Sequence, residues 1–197
     1  MKNKKVLLAL CAVLLVAATV FGTLAYLTST DEVINTFTVG KVEITLDEAP
    51  VNENGQEIEG DRVQENEYKL IPGRNYAKDP TVHVAEGSET CYVFVKVENG
   101  IADIEDPNYT IAYQLEVNGW ELLDGETDVY YKANVAAGTD LIVFDGFIID
   151  GEVESEDLAA YEGKTIVVTA YAVQANGFTT AADAWEATFF DGFVIGG

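Results

Sequence analysis

Apolar and polar residues alternate with period two along most of the chain. Val42, Ile44 and Leu46 alternate with Glu43 and Thr45, and Val82 and Val84 flank His83. Cys91, Val93, Val95 and Val97 share one parity, while Tyr109, Ile111, Tyr113, Leu115 and Val117 alternate with Thr110, Ala112, Gln114 and Glu116. Successive side chains of a strand point to opposite faces, so each run predicts a half-buried strand. Residues 141–149 (LIVFDGFII) and 165–175 (TIVVTAYAVQA) are further β-rich runs. Turn chemistry separates the runs at Pro72-Gly73, Glu86-Gly87-Ser88, Asn118-Gly119, Asp124-Gly125 and Gly138. Asn118-Gly119 predicts a hairpin, because both residues tolerate positive φ.

Helix signals are few. SEDLAAY at residues 155–161 offers Ser155 as a cap, and TAADAWEA at residues 180–187 suits one or two turns. Residues 49–66 are polar, acidic and glycine-containing, and predict a long exposed loop. Many short strands with few helices indicate an all-β class, a β-sandwich, jelly-roll-like or related Greek-key fold with one or two short helices.

One parity change stands out. Phe37 and Val39 occupy odd positions, Val42, Ile44 and Leu46 even ones, and Gly40 lies between. A glycine where alternation slips by one marks a bulge or bend, so Gly40 is a candidate hinge. The tetrapeptide FDGF occurs at residues 144–147 and again at 190–193 without a shared register around it, which indicates two similar strand ends and no repeat architecture.

The N-terminus changes the picture. Lys2, Lys4 and Lys5 precede an apolar run over residues 6–23, and Thr23-Leu24-Ala25 ends on a small residue. That is the pattern of a secretory signal cleaved between Ala25 and Tyr26. The run, at about 18 residues, is also long enough for an uncleaved anchor, but the small-residue end and the lack of positive charge after it favour cleavage. No second apolar span follows, so no stable membrane anchor is expected after cleavage. The expected organisation is a signal peptide at 1–25, an N-terminal segment at 26–40 and a β-sandwich domain at 41–197. Losing three lysines takes the net charge from −23 to −26. Such a surface repels nucleic acid and anionic lipid and holds copies apart until a specific contact overrides the repulsion.

Catalytic chemistry finds little support. Cys91 is the single cysteine after the signal, and its apolar stripe predicts a small buried hydrophobe. His83 is the single histidine, expected at a strand surface or edge; with no H-E-x-x-H, the usual zinc-protease ligand set cannot be built. No G-x-S-x-G elbow or Gly-rich phosphate loop occurs. Asp150, Glu152, Glu154 and Glu156 imitate calcium-loop spacing, but Ser155 stands where the loop needs glycine and Tyr161 where it needs a bidentate Glu. The expectation is a protein that is no enzyme and carries no catalytic residue, cofactor or metal.

Gly22-Thr23-Leu24-Ala25-Tyr26-Leu27-Thr28, followed by Asn35-Thr36-Phe37-Thr38-Val39-Gly40, resembles the signal and early mature region of the camelysin/TasA-like family. Similar features continue in Lys69-Leu70-Ile71-Pro72-Gly73, in Tyr76-Ala77-Lys78-Asp79-Pro80, in residues 91–97 and in AYAVQANGF at 170–178. The resemblance implies export by a Gram-positive-type bacterium through a dedicated signal peptidase, a jelly-roll domain, and a place in the extracellular biofilm matrix or at the cell surface. It also implies self-association into fibres, in which the freed N-terminal segment completes the sheet of the next subunit. Here the candidate assembly strand carries Tyr26, Leu27, Val33, Ile34 and Phe37; the alternative is that residues 31–39 pair within their own domain as its first strand. A monomeric secreted binding or adhesion module, using loops at 49–66 or 101–108, is the alternative. The family's metallo-endopeptidase label ranks last, because no zinc motif supports it. The chain is also short compared with the best-known fibre former.

Overall fold

In the computed structural model the chain divides between Val39 and Gly40 into two units. The structure describes Lys4 of the first and residues 40–188 of the second. The cleavage pair Ala25 and Tyr26, and the assembly residues Tyr26, Leu27, Val33, Ile34 and Phe37, lie outside the described residues, as does the second FDGF.

The second unit is mostly antiparallel β-structure. Its strands are β1 (Ile44–Asp47), β2 (Asn75–Ala77), β3 (Thr81–Val84), β4 (Cys91–Asn99), β5 (Glu121–Leu122), β6 (Val129–Val135), β7 (Asp140–Ile142), β8 (Gly146–Ile148) and β9 (Ile166–Gln174). They form a three-stranded sheet β1-β3-β7, a two-stranded pair β2-β8 and a four-stranded sheet β5-β6-β4-β9. Two short α-helices accompany them, α1 (Ile111–Val117) and α2 (Ala181–Ala187). The all-β expectation therefore holds at the level of class.

Strand β4 organises the packing. Its odd residues Cys91, Val93, Val95 and Val97 join Val82 and Val84 of β3, Leu141 of β7 and Ala170 and Ala172 of β9 in one core. Its even residues Tyr92 and Phe94 face a second cluster with Leu123, Val129, Ala184 and Trp185. A strand covered on both faces reads as a nearly continuous apolar run, and CYVFV is one. Cys91 is fully buried in the first core, and burial pushes its thiol pKa up to about 11. It is the small hydrophobe its stripe predicts. Helix α2 forms where TAADAWEA predicts it, capped by Thr180, whose hydroxyl accepts from the Asp183 N–H.

Residues 109–117 do not form a strand. Ile111 and Leu115, spaced i and i+4, satisfy a helical period as well as an alternating one. Local capping decides for the helix: Thr110 accepts from the Tyr113 N–H, and the interior residues Ala112, Gln114 and Glu116 are good helix formers. Buried Ile111, Gln114 and Leu115 make the inner face, while Tyr113 and Val117 stay exposed. Asn118-Gly119 consequently ends a helix instead of closing a hairpin. Gly119, at φ +75°, donates to the Glu116 carbonyl and Trp120 to the Leu115 carbonyl, the paired bonds of a Schellman motif.

The run at 141–149 is likewise two strands in different sheets. Val143 and Phe144, both fully buried, carry the chain from β7 to β8. The Gln114 side chain holds that crossing, accepting from the Asp145 N–H at 2.9 Å and donating to the Gly146 carbonyl at 2.9 Å. Glycine is required at 146, since a Cβ there would sit 2.3 Å from the Tyr76 carbonyl oxygen. Residues 157–161 form a 3-10 helix with no side-chain cap, so Ser155 does not cap it.

Candidate assembly edge

The edges of the four-stranded sheet differ sharply. At one side β5 has only two residues. At the other, β9 spans nine and pairs, among the described residues, with β4 alone, in unbroken register from Cys91↔Gln174 to Asn99↔Ile166. Backbone bonds from Ala175 to Thr90 and from Gly100 to Thr165 fix the phase of that ladder. Hydrogen-bonded pairs alternate in an antiparallel ladder, so the N–H and C=O groups of Ile166, Val168, Ala170, Ala172 and Gln174 face away from β4. Among the described residues no backbone partner meets them. The strand IVVTAYAVQ carries no charge and no proline, the devices that ordinarily blunt an edge.

A second open edge lies nearby. Among the described residues strand β1 pairs only with β3, and it approaches β9 to within 8 Å between Cα atoms. Val42, Ile44 and Leu46 on one side, with Ile166 and Val168 on the other, pack on the first core yet remain only partly buried. This margin is an apolar seam short of full cover.

Gly40 sits at one end of it. It is exposed, and a cleft of about 420 Å³ is lined by Gly40, Glu89, Thr90, Gln174 and Asn176. The Glu89 side chain lies against Gly40 so closely that a Cβ would fall 2.7 Å from its Cγ. Just after Gly40 the chain is anchored: the Lys41 carbonyl accepts from the Glu89 N–H and the Glu43 carbonyl from the Ala85 N–H, each at 2.9 Å.

Polar chemistry concentrates on the three-stranded sheet. His83 occupies the central strand β3, not an edge, and is half-buried. Cross-strand register places it between carboxylates: Nδ1 lies 2.6 Å from Asp140 and Nε2 3.0 Å from Asp47. Burial disfavours its charged form, but the bonds to Asp140 and Asp47 outweigh that and raise its pKa. Asp47 is likewise opposed by burial, yet bonds from Arg62 and His83 hold its carboxyl below the usual range. Arg62 reaches back from the 49–66 loop to Asp47, to Asp79 at 2.8 Å and to the Thr81 hydroxyl at 3.0 Å. That loop contains no strand, as expected, but it is pinned, not free. Both ring nitrogens of His83 are occupied by carboxylates, an arrangement that positions charge and leaves no base directed at a nucleophile.

The remaining candidate loops differ from expectation in one case. Residues 101–108 bury Ile101, Ile104 and Glu105, which removes much of that loop from any binding surface. In the acidic segment, Asp150 accepts from the Glu152 N–H, and the segment closes as a turn. Among the described residues no three His, Cys, Asp or Glu side chains group to hold a metal ion, and no helix is long and apolar enough to cross a membrane. Sequence reasoning missed Arg62, Asn66, Lys78 and Glu48, because single polar residues far apart in the chain carry no local signal. No family model, curated protein or solved structure matches this chain.

Proposed function

We propose that this protein is an exported structural subunit of an extracellular matrix or cell surface, with a jelly-roll-like sandwich that polymerises by strand addition. The carrying observation is β9: a nine-residue, uncharged, proline-free edge in a chain of net charge −23. Such an edge is a template for another strand. The apolar seam of Ile44, Leu46, Ile166 and Val168 suits a strand with alternating apolar side chains. After signal peptidase cuts between Ala25 and Tyr26, residues 26–39 supply one, with Val33 and Phe37 among its apolar positions. Backbone pairing to β9 of a second copy is β-augmentation, and head-to-tail pairing that does not close yields filaments. Gly40 is the proposed pivot at which the segment leaves its own domain. The protein acts by assembly.

Electron microscopy of residues 26–197 over time tests the reading. Filaments should appear, and deleting residues 26–36 should leave a folded monomer. Ala170→Pro should also block growth, since it removes an outward N–H that β4 does not use. Filaments persisting in the deletion variant would sink the strand-addition reading; monomers in every sample would favour a secreted binding module.

A further inference from the structure

A second polar cluster lies where β1 ends. Glu48 is buried, its side chain 5 % exposed, and its two oxygens hold two different nitrogens. Lys78 Nζ lies 2.5 Å from Oε2, and the Lys78 side chain is itself 11 % exposed. Asn66 Nδ2 lies 2.8 Å from Oε1. The Asn66 amide is fixed at every atom, since Nδ2 also donates to the Ala49 carbonyl at 2.9 Å and Oδ1 accepts from the Val51 N–H at 3.0 Å. Aromatic side chains wall the neighbourhood. Tyr68 donates to the Ala77 carbonyl beside Lys78 and packs edge-on against Tyr76 and Phe147. Burial, then the charges of Glu48 and Asp79, raise the Tyr68 pKa.

An amine, a carboxamide and a shared carboxylate, with the amine and the carboxylate largely buried, are the reactants and catalyst of amide exchange. We infer that Lys78 and Asn66 join in an intramolecular isopeptide bond, with Glu48 as the catalytic acid–base. Glu48 takes a proton from the Lys78 ammonium, and the freed Nζ lone pair attacks Cγ of Asn66. The Val51 N–H stabilises charge developing on Oδ1. The Nζ–Cγ bond forms and the Cγ–Nδ2 bond breaks. Both protons lost by Nζ pass through Glu48 to Nδ2, which departs as ammonium, and Glu48 ends as the carboxylate it began as. No oxidant, metal or cofactor enters the balance. The product ties the end of the 49–66 loop to the turn before β3, closing a short ring that restricts the unfolded chain. The inference is independent of the assembly reading.

Mass spectrometry of the purified, folded protein provides the test. The intact mass should fall short of the sequence mass by one ammonia. Trypsin should fail to cut after Lys78 and should release a branched peptide joining residues 63–69 to residues 75–96. Glu48→Gln should restore the full mass with its circular dichroism unchanged. Lys78→Arg, which keeps the charge facing Glu48 but offers no attacking amine, should do the same. Separate release of residues 63–69 and 75–78 from the folded wild-type protein would overturn the assignment. So would an ammonia loss surviving in Lys78→Arg, which would trace to succinimide formation at an Asn-Gly step such as Asn54-Gly55.

Discussion

The four-stranded sheet and the segment between β1 and β3 are held together in opposite ways. Around β4 nearly every contact is apolar: both faces are covered, and Phe94 packs against Trp185 with ring centroids 5.2 Å apart. Between residues 48 and 80 regular structure shrinks to the three residues of β2, and the chain is stitched by side chains instead. Arg62 binds Asp47, Asp79 and Thr81, Asn66 binds Glu48 and Ala49, and Asp79 accepts from the Ala49 N–H at 2.6 Å. Apolar burial is non-directional and scales with area, so it tolerates local change. Polar stitching works only when each partner is present, because a lost partner leaves a desolvated group behind. A protein with a large negative charge can fold around the first and use the second to restrain its loops.

The largest break in that contrast should come from Phe94→Ala. Emptying a fully buried aromatic site should cost about 3–5 kcal/mol and lower the urea midpoint without changing the slope. Arg62→Ala should cost less, about 1–2 kcal/mol, since hydrogen bonds to charged partners are substantial but this side chain is about a third exposed. Its distinguishing mark should be local. Amide exchange at Glu48 and Val63, which bond each other, should accelerate while β4 stays protected.

The smallest effect should be the pH dependence of the His83 cluster, under about 1 kcal/mol. His83 has a raised pKa, so its contribution is complete below the unfolded value of about 6.5 and is lost as pH climbs through the folded value. Asp47 has a lowered pKa, so its contribution is present above the unfolded value of about 3.9 and is lost as pH falls through the folded one. The cluster should therefore contribute most between about pH 4 and about pH 6.5. Urea midpoints of the wild type and His83→Gln should differ most in that window and converge at high pH. A difference independent of pH would remove the histidine charge from the account.

The same contrast explains what could be read in advance. Strand β9 and helix α2 follow the patterns at 165–175 and 180–187, because their apolar positions and the Thr180 cap are local. Residues 109–117 misled because Ile111 and Leu115 satisfy two periods at once. The exposed Tyr113 and Val117, apolar residues on the solvent side, completed a false alternation. His83 could be placed on a strand but not in its middle position, since strand order is invisible to alternation. Of the candidate edge, the uncharged composition of β9 was legible, but its lack of a second partner among the described residues was not.

Local chemistry along the chain determined the all-β class, the strand at β4, the turn positions and the absence of charge from β9. Those depend on side-chain periodicity and backbone preference within a few residues. Only the tertiary structure decided that 141–149 splits between sheets and that Glu48 stands between Lys78 and Asn66. Each of these turns on partners more than a dozen residues apart, where packing and hydrogen-bond satisfaction outweigh local propensity.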